Sequence, residues 1–298
     1  MSLQKLKNNF NKLFNEVSLD PENRSKVDLI LNLISISDKD EKTRFEFSLQ
    51  IENKKLKKTL RFVNYDSYHE NRASFLRRIS LLEDIFLTFS EESELKNVLI
   101  ILKGIKSLKF PLTIGFEIKQ GNIFFKLYLN FFNLNLKDES LANNFVGTIL
   151  KILKIDPNIK EEKIAMLGLI YNASGSLISH KIYYIYNNER FISMYFTKEI
   201  RNRFDWLYKR NRLDYFDVME RYSGGSFISK KIEIHPRVSR NFLAELLAVT
   251  KNKVLLDRIR TIIKNTEGEI EVVALEKNRL SLYITFLTYG KPKKTKIQ

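Results

Sequence analysis

Cysteine is absent from the 298 residues. That excludes disulfides, thiolate nucleophiles, iron–sulfur clusters and cysteine-based zinc sites, and it removes redox chemistry as a guide to compartment. Histidine is scarce. His69, His180 and His235 are widely spaced and form no HExxH or HxH pattern, so a histidine-rich metal site is not expected. No apolar run approaches the roughly 18–20 residues that span a bilayer. Met1–Asn15 alternates Lys, Asn, Leu and Phe, and lacks a signal peptide's apolar core and cleavage site. The expectation is a cytoplasmic, soluble protein. Glycine (10) and proline (5) are also few, and no Ser/Gly/Pro-rich linker appears. Residues 1–298 therefore read as one domain, with 291–298 as a frayed basic tail.

Several nucleotide and hydrolase signatures are missing as well. There is no aspartate-rich DDxxD, no GxxxxGK[ST], no GxGxxG and no GxSxG. Mg²⁺-bridged diphosphate binding of the isoprenyl synthase kind, P-loop and Rossmann sites, and serine hydrolase chemistry thus lack their residues.

Charge is what the chain has in excess. Lys and Arg number 51 against 35 Asp and Glu, a formal +16, and hydrophobic residues make up 44%. An ordinary core is available, and an anionic partner is implied: nucleic acid, a membrane surface or a phosphorylated small molecule.

Apolar residues recur with the helical period in Lys26–Ile36, Arg72–Phe89, Ser93–Ile105, Ser140–Leu153, Lys198–Lys209, Asn241–Val249 and Val254–Ile263. Asp138, Thr197 and Ser239 stand where N-caps belong. Between these runs lie segments of period two: Thr43–Ile51 with Lys57–Val63, Leu112–Ile118 with Ile123–Phe131, Ile164–Tyr171 with Leu177–Tyr186, and Glu269–Leu275 with Arg279–Leu287. Ile228–Ile234 has a less certain partner before it. Short polar turns join the pairs, which marks them as antiparallel hairpins. About five hairpins alternating with helices exclude a βαβ chain. The predicted class is α+β. Its sheet is a closed antiparallel ten-stranded barrel with helices outside, because closure removes the edges of so many strands.

Each strand has one apolar and one polar face. Phe45, Phe47, Leu49 and Ile51 oppose Arg44, Glu46, Ser48 and Gln50, and Leu60 and Phe62 oppose Arg61. Ile123, Phe125, Leu127 and Leu129 oppose Lys126, Tyr128 and Asn130. Helices would cover the apolar faces, and the polar faces would line a lumen. Lys-x-Tyr recurs there, as Lys126–Tyr128 and Lys181–Tyr183. Arg279 with Tyr283 is a variant, and Lys231 is followed by Glu233 instead of tyrosine. Enclosed cations bind diphosphate, and tyrosine faces attract a carbocation at roughly 0.5–2 kcal/mol per contact. A carboxylate could take the proton from an aromatic nucleophile.

These helix–hairpin repeats resemble the ABBA, or PT-barrel, aromatic prenyltransferases. Phe45-Glu46-Phe47-Ser48-Leu49 is similar to the family's early strand, and Ile51-Glu52-Asn53-Lys54-Lys55-Leu56 is similar to the cyanobactin peptide prenyltransferases at their first turn. The resemblance implies transfer of an allylic prenyl group, from dimethylallyl or geranyl diphosphate, to an electron-rich aromatic small molecule or peptide. It implies Glu46 as acid/base or acceptor-orienting group, Arg61, Lys126, Lys181, Lys231 and Arg279 as diphosphate ligands, and Tyr128, Tyr183 and Tyr283 as shields of the cation. It requires no cofactor. Mg²⁺ is compatible with it, but no aspartate-rich motif would hold the ion.

Bland readings stand beside these. Glu46 could pair with Arg44 or Arg61, and Lys126 and Lys181 could sit on a solvated sheet face. Tyr184, Tyr186 and Trp206 read as core, and His235 as structural. The rival function is a non-catalytic basic protein that binds nucleic acid or another polyanion. Location discriminates: cations and tyrosines converging in a lumen favour the enzyme, and an outer stripe favours the rival.

Overall fold

The computed structural model describes residues 8, 11–12, 15, 21–37, 44–52, 55–56, 60–65, 72–87, 95–104, 111–119, 122–131, 139–152, 154–156, 164–186, 197–198, 201–202, 216–234, 253–266, 269–276 and 279–287. Trp206, His235, the proposed caps Asp138 and Ser239, the run at 241–249 and the basic tail fall outside them.

Helix α1 (Pro21–Ser37) precedes strands β1 (Arg44–Glu52), β2 (Lys55–Leu56) and β3 (Leu60–Tyr65). Helices α2 (Arg72–Leu87) and α3 (Leu95–Gly104) lead to β4 (Leu112–Lys119) and β5 (Asn122–Asn130). Helix α4 (Glu139–Ile152) leads to β6 (Ile164–Tyr171) and β7 (Leu177–Tyr186). Then come β8 (Phe216–Ser223), β9 (Ser226–Ile234), helix α5 (Lys253–Thr266), β10 (Glu269–Glu276) and β11 (Arg279–Leu287).

Apart from the short β2, every strand pairs antiparallel with its neighbour in sequence, and β11 pairs back onto β1 from Arg44↔Leu287 to Glu52↔Arg279. That last ladder closes the sheet. The two-residue β2 extends only the tip of β1, so ten long strands form the barrel. Because the strands run up and down, the paired ends of each hairpin's strands lie at one end of the barrel, and the described helices adjoin in sequence the strand ends at the other.

The partner of β9 is β8. Its Gly224–Gly225 turn has φ of +54° and +78°, the left-handed pair that a two-residue hairpin turn requires. The alternation of β8 is hidden in the sequence because Glu220 occupies its outer, apolar face. There Tyr222 donates to Glu220 at 2.7 Å and Tyr184 at 3.3 Å, which makes a buried carboxylate tolerable outside the barrel.

The apolar strand faces point outward and are covered. Phe47, Phe62, Phe116, Phe125 and Leu169 join Val27, Ile30, Phe75, Ile79, Ile149 and Ile259 from the helices in one buried core. Tyr184 and Tyr186 belong to this outer core, as their parity predicts. Arg78 on α2 is also buried, donating to the carbonyls of Leu112 at 2.9 Å and Asn64 at 3.0 Å and pinning the helix to two strand ends. Thr197 accepts the Arg201 amide through its carbonyl at 2.9 Å, as an N-cap does. Among the described residues no helix is long and apolar enough to cross a membrane.

Candidate active site

The opposite strand faces line the lumen, and the register sorts their side chains along the barrel axis. Nearest the hairpin end lie Arg61, Lys126, Lys181, Arg221 and Arg279, with Glu117 among them. One step further in come Tyr128, Tyr183, Met219, Lys231 and Tyr283. Toward the helical end come Glu46, Asn130, Ile185, Asp217, Glu233 and Thr285. All nine residues singled out from the sequence therefore face one lumen. A cavity of about 270 Å³ opens in its inner part, bounded by Glu46, Tyr128, Tyr183, Asp217, Glu233 and Tyr283 with apolar Val63, Met166 and Val272.

The cationic layer is pre-arranged by its own ion pairs. Glu117 accepts from Arg61 Nη2 at 2.7 Å and from Lys126 Nζ at 2.6 Å. Burial opposes charge on Glu117, but the two cations outweigh it and hold its carboxyl well below the usual range. Lys126 is drawn down to about 8, by burial first, with Glu117 opposing and Arg61 and Arg221 adding repulsion. Lys181 is lowered well below its ordinary value too, by burial and then by Lys126, Lys231 and Arg61. The sheet gathers more positive charge here than its carboxylates balance, and an anion would relieve it.

Lys231 belongs to a different group. It pairs with Glu233 two residues on and donates to the Tyr283 phenol at 2.7 Å. Burial lowers its affinity for the proton, yet Glu233 and Tyr283 more than offset that, and its pKa is raised. Tyr283 reaches across β10, where Val272 and Ala274 are small enough to let it pass. The hairpin without its tyrosine thus borrows one from β11. Arg279 sits at the rim, 3.4 Å from Glu52 and 3.5 Å from Glu276, and is about one-third exposed.

Tyr128 and Tyr183 meet edge to face, 6.3 Å apart at 66°, and pack with Met219. Glu46 is 2% exposed, level with Thr285 and Val63 on the adjacent strands. Arg61, one of its two proposed partners, is held by Glu117. Ser48 and Thr285 present buried hydroxyls on the same face without a hydrogen-bond partner among the described residues. Sequence reasoning missed Glu117, Arg221 and Asp217. Glu117 stands out only through its two partners, which meet it in three dimensions, and the other two lie on β8, whose strand pattern the sequence does not show. No group of three or more histidines or carboxylates among the described residues is arranged to hold a metal ion.

No family model and no curated protein matches the chain. Solved structures do. The chain superposes on the 6-dimethylallyltryptophan synthase of Micromonospora olivasterospora, solved with DMASPP and Trp, with a TM-score of 0.68 at 14% identity, covering 96% of this chain and 97% of that one. The fold is the PT barrel. AnaPT from Neosartorya fischeri gives a TM-score of 0.62 at 13% identity over 95% of this chain and 93% of that one. The NotF prenyltransferase gives 0.56 at 10% identity over 81% and 80%. At these identities the likeness is one of architecture, and the chemistry of this PT barrel has to be argued from its own lumen.

Proposed function

We propose that the protein transfers an allylic prenyl group from a prenyl diphosphate to an aromatic acceptor inside the barrel. The observation that carries this is the axial order of the lumen: cations, then tyrosines, then a buried carboxylate. Arg61, Lys126 and Lys181 receive the diphosphate, with Lys231 and Arg279 at the margins of the site. The allylic C1–O bond breaks, and the diphosphate leaves with the electron pair toward these cations. The allyl cation lies among Tyr128, Tyr183 and Tyr283, whose rings stabilise it and exclude water. An aromatic carbon of the acceptor attacks C1, and its proton passes to Glu46.

The lumen cations supply the counter-charge for the leaving group, so no cofactor is required in this reading. The neighbour solved with DMASPP and Trp supports a prenyl diphosphate donor and an aromatic acceptor; within this reading the donor is dimethylallyl or geranyl diphosphate and the acceptor a small molecule or a peptide side chain. Nucleic acid binding fits less well, because the cations and tyrosines face the inside of a closed barrel, whose cavity of about 270 Å³, bounded by the tyrosines, no duplex or folded strand can enter.

Incubation with dimethylallyl or geranyl diphosphate and a panel of indoles, phenols and aromatic peptides tests the proposal. Release of diphosphate together with a product heavier by one prenyl group is expected. No turnover with any donor, together with no donor binding by calorimetry, overturns it.

A further inference from the structure

Tyr128 lies between two glycines. Gly168 faces it directly across the β5–β6 ladder. Gly115 on β4, on the other side, pairs with Lys126, one step toward the hairpin end from Tyr128. A β-carbon at position 168 would stand 2.9 Å from Tyr128 Cε1 and 3.0 Å from Cδ1. One at position 115 would stand 3.0 Å from Cε2. Opposite edges of one ring therefore rest on opposite neighbouring strands.

The backbone does not call for glycine at either place. The positive-φ glycines among the described residues are Gly175, Gly224 and Gly225, all in hairpin turns. Glycine inside a strand weakens it and marks a close approach by something else. Here the something else is the Tyr128 ring. With both edges against the wall, the ring lies back along the sheet and turns a face, not an edge, to the lumen. The face of a phenol ring carries its negative charge and the edge its positive charge.

We propose that Gly115 and Gly168 are positioning residues that set the electrostatic sign Tyr128 shows to the reacting prenyl cation. A methyl group at either position lifts one edge of the ring and tilts it into the cavity. The tilted ring offers less of its face to the cation and narrows the space above it. At position 168 the added methyl stays at ordinary contact, 3.5 Å, from Lys181 Cβ, so that diphosphate ligand is not displaced; at position 115 it also comes within 3.2 Å of Lys126 Cβ, so Gly168 is the cleaner site to test. This inference rests on the prenyl-transfer reading and adds to it the device that aims one shielding ring.

The test compares wild type, Gly168→Ala, Gly115→Ala, Tyr128→Leu and the double variant Gly168→Ala/Tyr128→Leu. Turnover and binding of inorganic diphosphate are both measured. Each glycine variant should lose about tenfold in kcat, the size of one cation–π contact, and in Gly168→Ala, whose methyl meets Lys181 only at ordinary contact distance, diphosphate affinity should stay within about twofold of wild type. In the double variant Gly168→Ala should add nothing to the loss caused by Tyr128→Leu, because no ring remains to be moved. Additive losses, or unchanged kcat in both glycine variants, overturn the inference. If Gly168→Ala does not fold, Gly115→Ala and its own cycle on Tyr128→Leu are read on kcat at saturating donor, where a loss confined to protein that keeps Tyr128 is expected and equal losses in both backgrounds overturn the inference. Wild-type protein without turnover would instead overturn the prenyl-transfer reading itself, so the two failures are distinct.

Discussion

Lys126 and Glu117 meet across the β4–β5 ladder, amine to carboxylate at 2.6 Å. The same carboxylate holds Arg61 at 2.7 Å. Two lumen cations are thereby fixed in direction before any ligand arrives, and the repulsion between them is balanced by one shared carboxylate.

Glu117→Gln removes that balance. Breaking a buried pair while both cations remain should cost about 3 kcal/mol of stability. Inorganic diphosphate should restore part of it. The rise in melting temperature on adding diphosphate is therefore expected to be larger in Glu117→Gln than in wild type. Equal or smaller ligand-induced shifts would show that Glu117 does not act as the stand-in anion.

Donor binding should consume protons. Burial and neighbouring cations draw the Lys126 amine down to about 8 and lower that of Lys181 well below its ordinary value. A bound diphosphate favours their charged forms. Calorimetry at pH 8 in HEPES and in Tris, whose ionisation enthalpies differ, should give different apparent heats, and Lys126→Arg should reduce the difference. Identical heats in the two buffers would mean that both amines are already charged. Affinity should also decline as pH rises through about 8, and the decline should move upward in Lys126→Arg.

Glu46 and Lys181 should separate chemistry from binding. Glu46→Gln is expected to lower kcat by roughly a hundredfold or more with donor affinity unchanged, as for removal of a general base. Lys181→Ala is expected to weaken donor binding at least about tenfold. Equal losses of binding in both variants would place Glu46 with the donor instead of the acceptor.

Away from the lumen, His180 stacks on Tyr222, with ring centres 5.1 Å apart at 9°. Burial pulls its pKa down to about 4. The folded state thus favours the neutral ring, and the unfolded chain binds the extra proton first as pH falls. Stability linked to His180 is complete above about 6.5 and is lost as pH falls toward about 4. His180→Phe keeps the stack and should flatten the fall in urea midpoint between pH 7 and 5. An unchanged slope would assign that fall to other groups.

The barrel was legible because alternation is a local signal. Phe45 against Glu46 and Phe125 against Lys126 already say which face meets helices and which meets a lumen, and closure follows from having ten such strands. β8 was illegible for an equally local reason: Glu220 on its outer face is satisfied by Tyr184 and Tyr222, which come together only in three dimensions. The same limit hid Glu117, whose value lies in two partners, one of them 56 residues away. The loss of tyrosine at Glu233 could be read from the sequence, but not its replacement by Tyr283 across β10. The placing of cations and tyrosines on one face was thus readable, whereas the ion pairs and glycine gaps that orient them were not.

The central claim is that the lumen cations bind a prenyl diphosphate. Calorimetric titration with an unreactive thiolodiphosphate analogue of dimethylallyl diphosphate tests it most directly, on wild type, on Lys126→Ala/Lys181→Ala and on Glu46→Gln. One binding site in wild type, lost in the double lysine variant and kept in Glu46→Gln, is the predicted result. No binding to wild type, or equal binding to the double lysine variant, would contradict it.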